Sequence, residues 1–188
     1  MKRIAIFASG EGTNTQHLIN YFTASDVKIC LIVCNNPSAY VLKRAEKSGI
    51  QTIVVDKEIF YGTDILLKKV KEEKIDLIIC AGFLWKIPDN ILNSFPNKII
   101  NIHPALLPKF GGKGMYGMNV HKAVIEAGEK ESGITIHYLN EHYDEGKIIF
   151  QAKCKVVKSD TPEKLADKVH ALEYEYFPKI VRQVIDKM

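Results

Sequence analysis

Five short, nearly continuous apolar runs set the frame of this chain: Arg3–Ala8, Lys28–Cys34, Gln51–Val55, Ile75–Cys80 and Lys98–His103. Strands that read this way are covered on both faces, which is the situation in a parallel sheet flanked by helices. The segments between the runs have helical spacing. Leu18, Ile19 and Phe22 fall on one face of Thr15–Phe22, a helix over Ser38–Lys47 is closed by Gly49, and Ile59–Glu73 carries apolar residues at 59, 60, 66, 67 and 70. Such alternation predicts βαβ units and an α/β class, with a doubly wound, mostly parallel sheet. The pattern changes after residue 104. Pro104–Asn119 holds glycines at 111, 112, 114 and 117 and prolines at 104 and 108, and reads as a long loop of the kind that is usually functional. Val120–Ala127 follows as a short helix. Gly133–Leu139 and Lys147–Val156, joined by Asn140–Gly146, read as an antiparallel C-terminal extension of the sheet. Thr161-Pro162-Glu163 starts a last helix with apolar residues at 165, 169, 172, 176, 180 and 184, which Pro178 is expected to kink or break.

At 188 residues the chain reads as a single domain with a sizeable core. Hydrophobic residues at 46% and charged residues at 26% exclude a disordered chain. No apolar run approaches the roughly 20 residues of a membrane span, and the first run meets Gly10-Glu11-Gly12 at once, unlike a signal peptide. The excess of 26 Lys and Arg over 22 Asp and Glu is too small and dispersed for a nucleic-acid partner and suits a small anionic ligand. Cys30, Cys34, Cys80 and Cys154 form no C-x-x-C pair, and the expectation is four small buried thiols in a reduced cytoplasm.

In open α/β sheets ligands bind beyond the carboxyl ends of the strands. After the first run, Ser9-Gly10-Glu11-Gly12-Thr13-Asn14-Thr15 joins strand to helix, where glycines and the first helical amides can face an anion. The dinucleotide fingerprint G-x-G-x-x-G fails at Thr15 and the Walker pattern lacks its Gly-Lys-Ser/Thr, so the loop is either a monophosphate site or a plain tight turn. In Ile99-Ile100-Asn101-Ile102-His103-Pro104, Asn101 and His103 share one face of a strand about 6.6 Å apart. An amide donor and an imidazole together can stabilise an oxyanion and move a proton, or they can simply anchor the following loop. Asp144, before Glu145-Gly146, is either a carboxylate that orients His103 or a turn residue.

Asn101-Ile102-His103-Pro104-Ala105-Leu106-Leu107-Pro108 resembles the Asn-x-His-Pro-Ser/Ala-Leu-Leu-Pro motif of the formyltetrahydrofolate-dependent formyltransferases, and Asp144-Glu145-Gly146 their later Asp-x-Gly. Ser9-Gly10-Glu11-Gly12-Thr13-Asn14 and Ala81-Gly82-Phe83 are similar to the branch of that family acting on glycinamide ribonucleotide in purine synthesis. The resemblance runs from residue 3 to about 180. It implies a Rossmann-like formyltransferase fold in one domain, 1–188, with a phosphate-binding half over about 1–100 and a folate and catalytic half over about 101–188. It implies transfer of a formyl group from 10-formyltetrahydrofolate, as co-substrate and without a metal, to the amine of glycinamide ribonucleotide.

The same resemblance places catalytic roles on Asn101, His103 and Asp144. It places the substrate's phosphate on Gly12, Thr13, Asn14 and Thr15, and its ribose on Glu173 with His170 one turn earlier. It places the folate on Leu84, Trp85, Lys86, Ile87, Leu92, Ile99 and Asn101, and on the loop Asn140, Glu141, His142, Tyr143 and Asp144. The expected partners are small molecules only, with neither nucleic acid nor membrane, for a monomer or homodimer. Trp85-Lys86 departs from the Arg and apolar residue of better-known members, so Lys86 is expected to point outward or toward glutamyl carboxylates. A formate-releasing hydrolase, a tRNA formyltransferase and a sugar-nucleotide formyltransferase are larger proteins, and 188 residues suit the core alone. A non-catalytic nucleotide-binding module would have no need of Asn101, His103 and Asp144 together.

Overall fold

The computed structural model describes all 188 residues. β1 (Lys2–Ala8), β2 (Val27–Cys34), β3 (Gln51–Val54) and β4 (Leu77–Cys80) are separated by α1 (Thr13–Phe22), α2 (Tyr40–Lys47) and α3 (Ile65–Glu72). Then come α4 (Asp89–Ser94), β5 (Ile99–His103), α5 (Met118–Glu126), β6 (Glu131–Tyr138), β7 (Ile148–Lys155) and α6 (Pro162–Asp186). The strands form one seven-stranded sheet in the order β3-β2-β1-β4-β5-β6-β7. Two compact units, Met1–Ile100 and Asn101–Met188, divide within β5.

In the first unit β1 is the central strand. It runs parallel to β2 and β4, with Ile4 opposite both Ile29 and Leu77, and β2 runs parallel to β3. Ile4 to Ala8 and all of β4 are buried, as their continuous apolar runs require. Strand order reverses between β1 and β4, so the loops after these two strands flank the topological switch point where such sheets bind ligands. α2 begins at Tyr40 and not at Ser38, because Asn36 forms a turn: its Oδ1 accepts from Ser38 N at 3.0 Å and its carbonyl from Ala39 N. The apolar pattern of Ile59–Glu73 is split. A π-helical turn covers Glu58–Gly62, and the extended Thr63 separates it from α3.

In the second unit β6 and β7 are antiparallel, with Ser132 opposite Cys154 and Ile136 opposite Phe150. A Cβ on Gly133 would run into the Ala152 carbonyl, so the strands close up only over glycine. α6 opens with the Thr161 side chain accepting from Lys164 N and with Pro162 in its first turn. Pro178 does not break it: the helix continues to Asp186, correcting the expectation of a break there. Proline removes one backbone hydrogen bond, but Phe177, Ile180, Val181, Val184 and Ile185 are buried beside it and hold both flanks in the core. Midway, the buried positions are Glu173 and Phe177, whereas Leu172 and Tyr176 are half-buried. No helix is long and apolar enough to cross a membrane.

Candidate active site

β5 is apolar on one face, with Ile100 and Ile102 buried, and polar on the other, with Asn101 and His103. His103 is only 3% exposed. Its Nε2 lies 2.8 Å from the Phe110 carbonyl, and its Nδ1 lies 3.6 Å from Asp144 Oδ2. Both ring nitrogens therefore face oxygen, Nε2 within hydrogen-bond distance and Nδ1 just beyond it. Asp144 Oδ2 also accepts from Gly112 N at 2.9 Å, and Oδ1 lies 3.6 Å from His137 Nε2. The carboxylate thus sits between two histidines. Asp144 has a φ of 56°, in the left-handed region that Asp and Asn tolerate best among non-glycine residues.

His137 is the member that motif reading did not single out. Its Nδ1–H donates to the Tyr138 carbonyl at 3.0 Å, which leaves Nε2 to accept from Asn101 Nδ2 at 3.1 Å. Burial holds its pKa below the ordinary histidine value, against the upward pull of the Tyr138 carbonyl and Asp144. The ring is an acceptor that orients the Asn101 amide. A signal for it exists in the sequence: Thr135 and His137 interrupt the apolar β6 at alternate positions, as Asn101 and His103 interrupt β5.

Thr135 fixes the chain after His103. Its hydroxyl donates to the Ala105 carbonyl at 2.7 Å and accepts from Leu107 N and Gln151 Nε2. The glycine-rich loop then crosses Asp144: a Cβ on Gly111 would meet Leu107 Cδ2 at 2.6 Å and Asp144 Cβ at 3.1 Å. Gly146 is equally constrained, because a side chain there would overlap the Tyr138 carbonyl. In the loop before it, Glu141, His142 and Tyr143 are exposed, and Asn140 Oδ1 accepts from His142 N at 2.9 Å.

On α6, Glu173 is 6% exposed and His170 is exposed. The His170 ring stacks on Tyr174 and meets His121 of α5 edge-on, with centroids 6.4 Å apart. His121 is 2% exposed and its Nδ1 has no hydrogen-bond partner. Burial first, then repulsion by His170 and His103, push its pKa down to about 4.

The first unit carries the remaining expected residues. Gly12 caps α1 at a φ of 70°, no side chain caps this helix, and Thr15 in its first turn is fully buried with Oγ1 unpartnered. Thr13 and Asn14 are half-buried beside it. Ser9 ties this loop to the one after β4: its N–H donates to the Gly82 carbonyl, and its Oγ accepts from Leu84 N at 2.9 Å. Leu84 is exposed, and Trp85 packs edge-on to Phe60, with centroids 5.4 Å apart. Lys86 lines an open pocket of about 560 Å³ with Tyr61, Asp64, Asp89 and Asn90. Ile87 is buried, Leu92 half-buried, and Ile99 a core residue of β5.

The sequence matches the family described as formyl transferase over residues 2–181. It is 37% identical to the chloroplastic phosphoribosylglycinamide formyltransferase of Arabidopsis thaliana, covering 99% of this chain and 66% of that protein. It is 32% identical to phosphoribosylglycinamide formyltransferase of Bacillus subtilis, covering 98% of this chain and 95% of that one. The chain thus spans less than two thirds of the plant relatives' length. Among solved structures it is similar to glycinamide ribonucleotide transformylase 1 from Geobacillus kaustophilus, at a TM-score of 0.89 and 34% identity over 98% of each chain. A match across nearly all of its length, on a sheet of the same architecture, places the chain in the formyl transferase family.

Proposed function

We propose that this chain transfers the formyl group of 10-formyltetrahydrofolate to the amine of glycinamide ribonucleotide, giving formylglycinamide ribonucleotide and tetrahydrofolate in purine synthesis. The observation that supports this reading best is the Asp144 carboxylate lying between His103 and His137, with Asn101 oriented by His137. The amine nitrogen attacks the formyl carbon, and the carbonyl oxygen becomes an oxyanion. Asn101 Nδ2 has two hydrogens, one given to His137 and the other left for that oxygen. His103 supplies a second donor when its Nε2–H exchanges the Phe110 carbonyl for the oxyanion. Asp144 balances the imidazolium and passes the proton lost by the amine toward the departing folate N10, whose bond to the formyl carbon breaks as the carbonyl re-forms.

On the same reading the chain is one formyltransferase domain. Gly12, Thr13, Asn14 and Thr15 hold the phosphate, while Glu173 and His170 serve the ribose. Leu84, Trp85, Lys86, Ile87, Leu92, Ile99, Asn101 and the 140–144 loop serve the folate. The chain works in the cytoplasm as a monomer or homodimer on small anionic molecules. The proton transfers require no metal.

Turnover tests it: the purified protein is mixed with 10-formyltetrahydrofolate with and without glycinamide ribonucleotide, and deformylated folate is followed. Deformylation is expected only with the amine. Asn101→Ala, His103→Ala and Asp144→Asn at saturating substrates are each expected to lower kcat by about 10²–10³. Equal turnover without the amine would make the protein a hydrolase, and near wild-type rates in all three variants would remove these residues from the chemistry.

A further inference from the structure

The loop after β1 is braced from outside by α2. Val41 N donates to the Gly10 carbonyl at 3.2 Å, and the Val41 side chain fills the space that a Cβ on Gly12 would need. One turn along, Arg44 Nε donates to the Glu11 carbonyl at 2.8 Å. Its guanidinium lies 4.9 Å from the Tyr40 ring centroid, and Nη1 reaches Gln16 Oε1 at 3.5 Å. A side chain planar enough to stack and donate at once is thereby fixed in place. None of the functional roles described above uses Arg44.

What this bond does follows from the geometry of the peptide unit. In a trans peptide the carbonyl and the following N–H point in opposite directions. Drawing the Glu11 carbonyl toward α2 turns the Gly12 N–H away from α2. Gly12 is a glycine at φ 70°, so the Glu11–Gly12 peptide has little steric resistance of its own to flipping. A flip would replace a donor with a carbonyl oxygen at the mouth of α1, the helix whose N-terminus no side chain caps.

We infer that Arg44 is a positioning residue for a phosphate monoester. It holds the Glu11–Gly12 peptide so that the Gly12 amide joins the first amides of α1 in facing the anion. This deepens the proposed function and rests on its assignment of the phosphate to this loop.

The test uses the full chain with Arg44→Ala, Arg44→Gln and Arg44→Lys, with thermal melting as a folding control. Arg44→Ala is expected to raise KM for glycinamide ribonucleotide about tenfold, the order of effect of losing one charge-assisted hydrogen bond. kcat and KM for the formyl folate should stay within about twofold. Arg44→Gln and Arg44→Lys, which keep a donor, should recover part of the loss. Binding of ribose 5-phosphate, followed by calorimetry and by the Gly12 amide resonance, should weaken in parallel. A role confined to stability would lower the melting temperature and leave the KM ratio and the amide shift unchanged, which would overturn the inference while formyl transfer stood. Ribose 5-phosphate binding that depends on Arg44, in a protein with no formyl transfer, would sustain the inference and overturn the proposed reaction. Failure of the wild-type protein to bind ribose 5-phosphate would overturn the inference.

Discussion

Asn101 and His103 were legible in the sequence because two polar residues at alternate positions in an apolar strand demand partners. Their partners were less legible. His137 is 34 residues beyond His103 and carries no motif, yet its neutral ring sets the direction of the Asn101 amide. His137→Phe would leave that amide nitrogen without an acceptor. The expected result is a kcat lower by about tenfold or more with KM nearly unchanged, and partial recovery in His137→Gln, which keeps an acceptor. Steady-state kinetics on both variants check this, and a wild-type kcat in His137→Phe would show that Asn101 is oriented by other groups. The glycines of the motifs divide by cause. Gly146 is required by the Tyr138 carbonyl beside it and Gly12 by Val41, whereas Gly112 has open space and is held at φ 98° by its own backbone.

Among the elements, β1, β2 and β4 could be read directly because burial on both faces keeps the body of each strand apolar, and β5 because its apolar run is broken only by Asn101 and His103. α4 could not: six residues give too few turns for a period, and only Ile91 is buried. The break at Gly62-Thr63 inside Ile59–Glu73 was hidden for a related reason, since apolar residues on both sides of it keep a helical rhythm. Pro178 misled in the other direction, because local propensity says nothing of the packing that carries α6 through it. The start of that helix obeys local rules. Thr161→Ala is expected to cost about 1 kcal/mol, read as a shift in the urea midpoint with an unchanged slope, because the Lys164 amide loses its acceptor.

For the whole molecule, the depressed pKa of His121 sets a direction for acid stability. The unfolded chain takes up a proton near pH 6.5, but the folded ring does so only near 4. Between these values the unfolded state binds more protons, so stability falls as the pH falls, by about 3 kcal/mol across the interval. His137 acts in the same sense. Urea unfolding of the wild type from pH 7 to 4 should show this loss, and His121→Leu should show a shallower one. Equal slopes would mean that the ring is not desolvated in the fold.

The small positive excess has a further place besides anionic ligands. Of the two edge strands of the sheet, β3 is four residues long, while β7 is eight and exposes Lys153 and Lys155. Lys153 reaches inward to Glu131 of β6 at 3.1 Å, which leaves the exposed Lys155 as the charge at the open edge. Two copies of β7 approaching edge to edge would bring ammonium groups against ammonium groups. The sheet is thus blunted at one end by brevity and at the other by charge. Crowded in solution, the folded chain resists growing into a longer sheet made of its own copies.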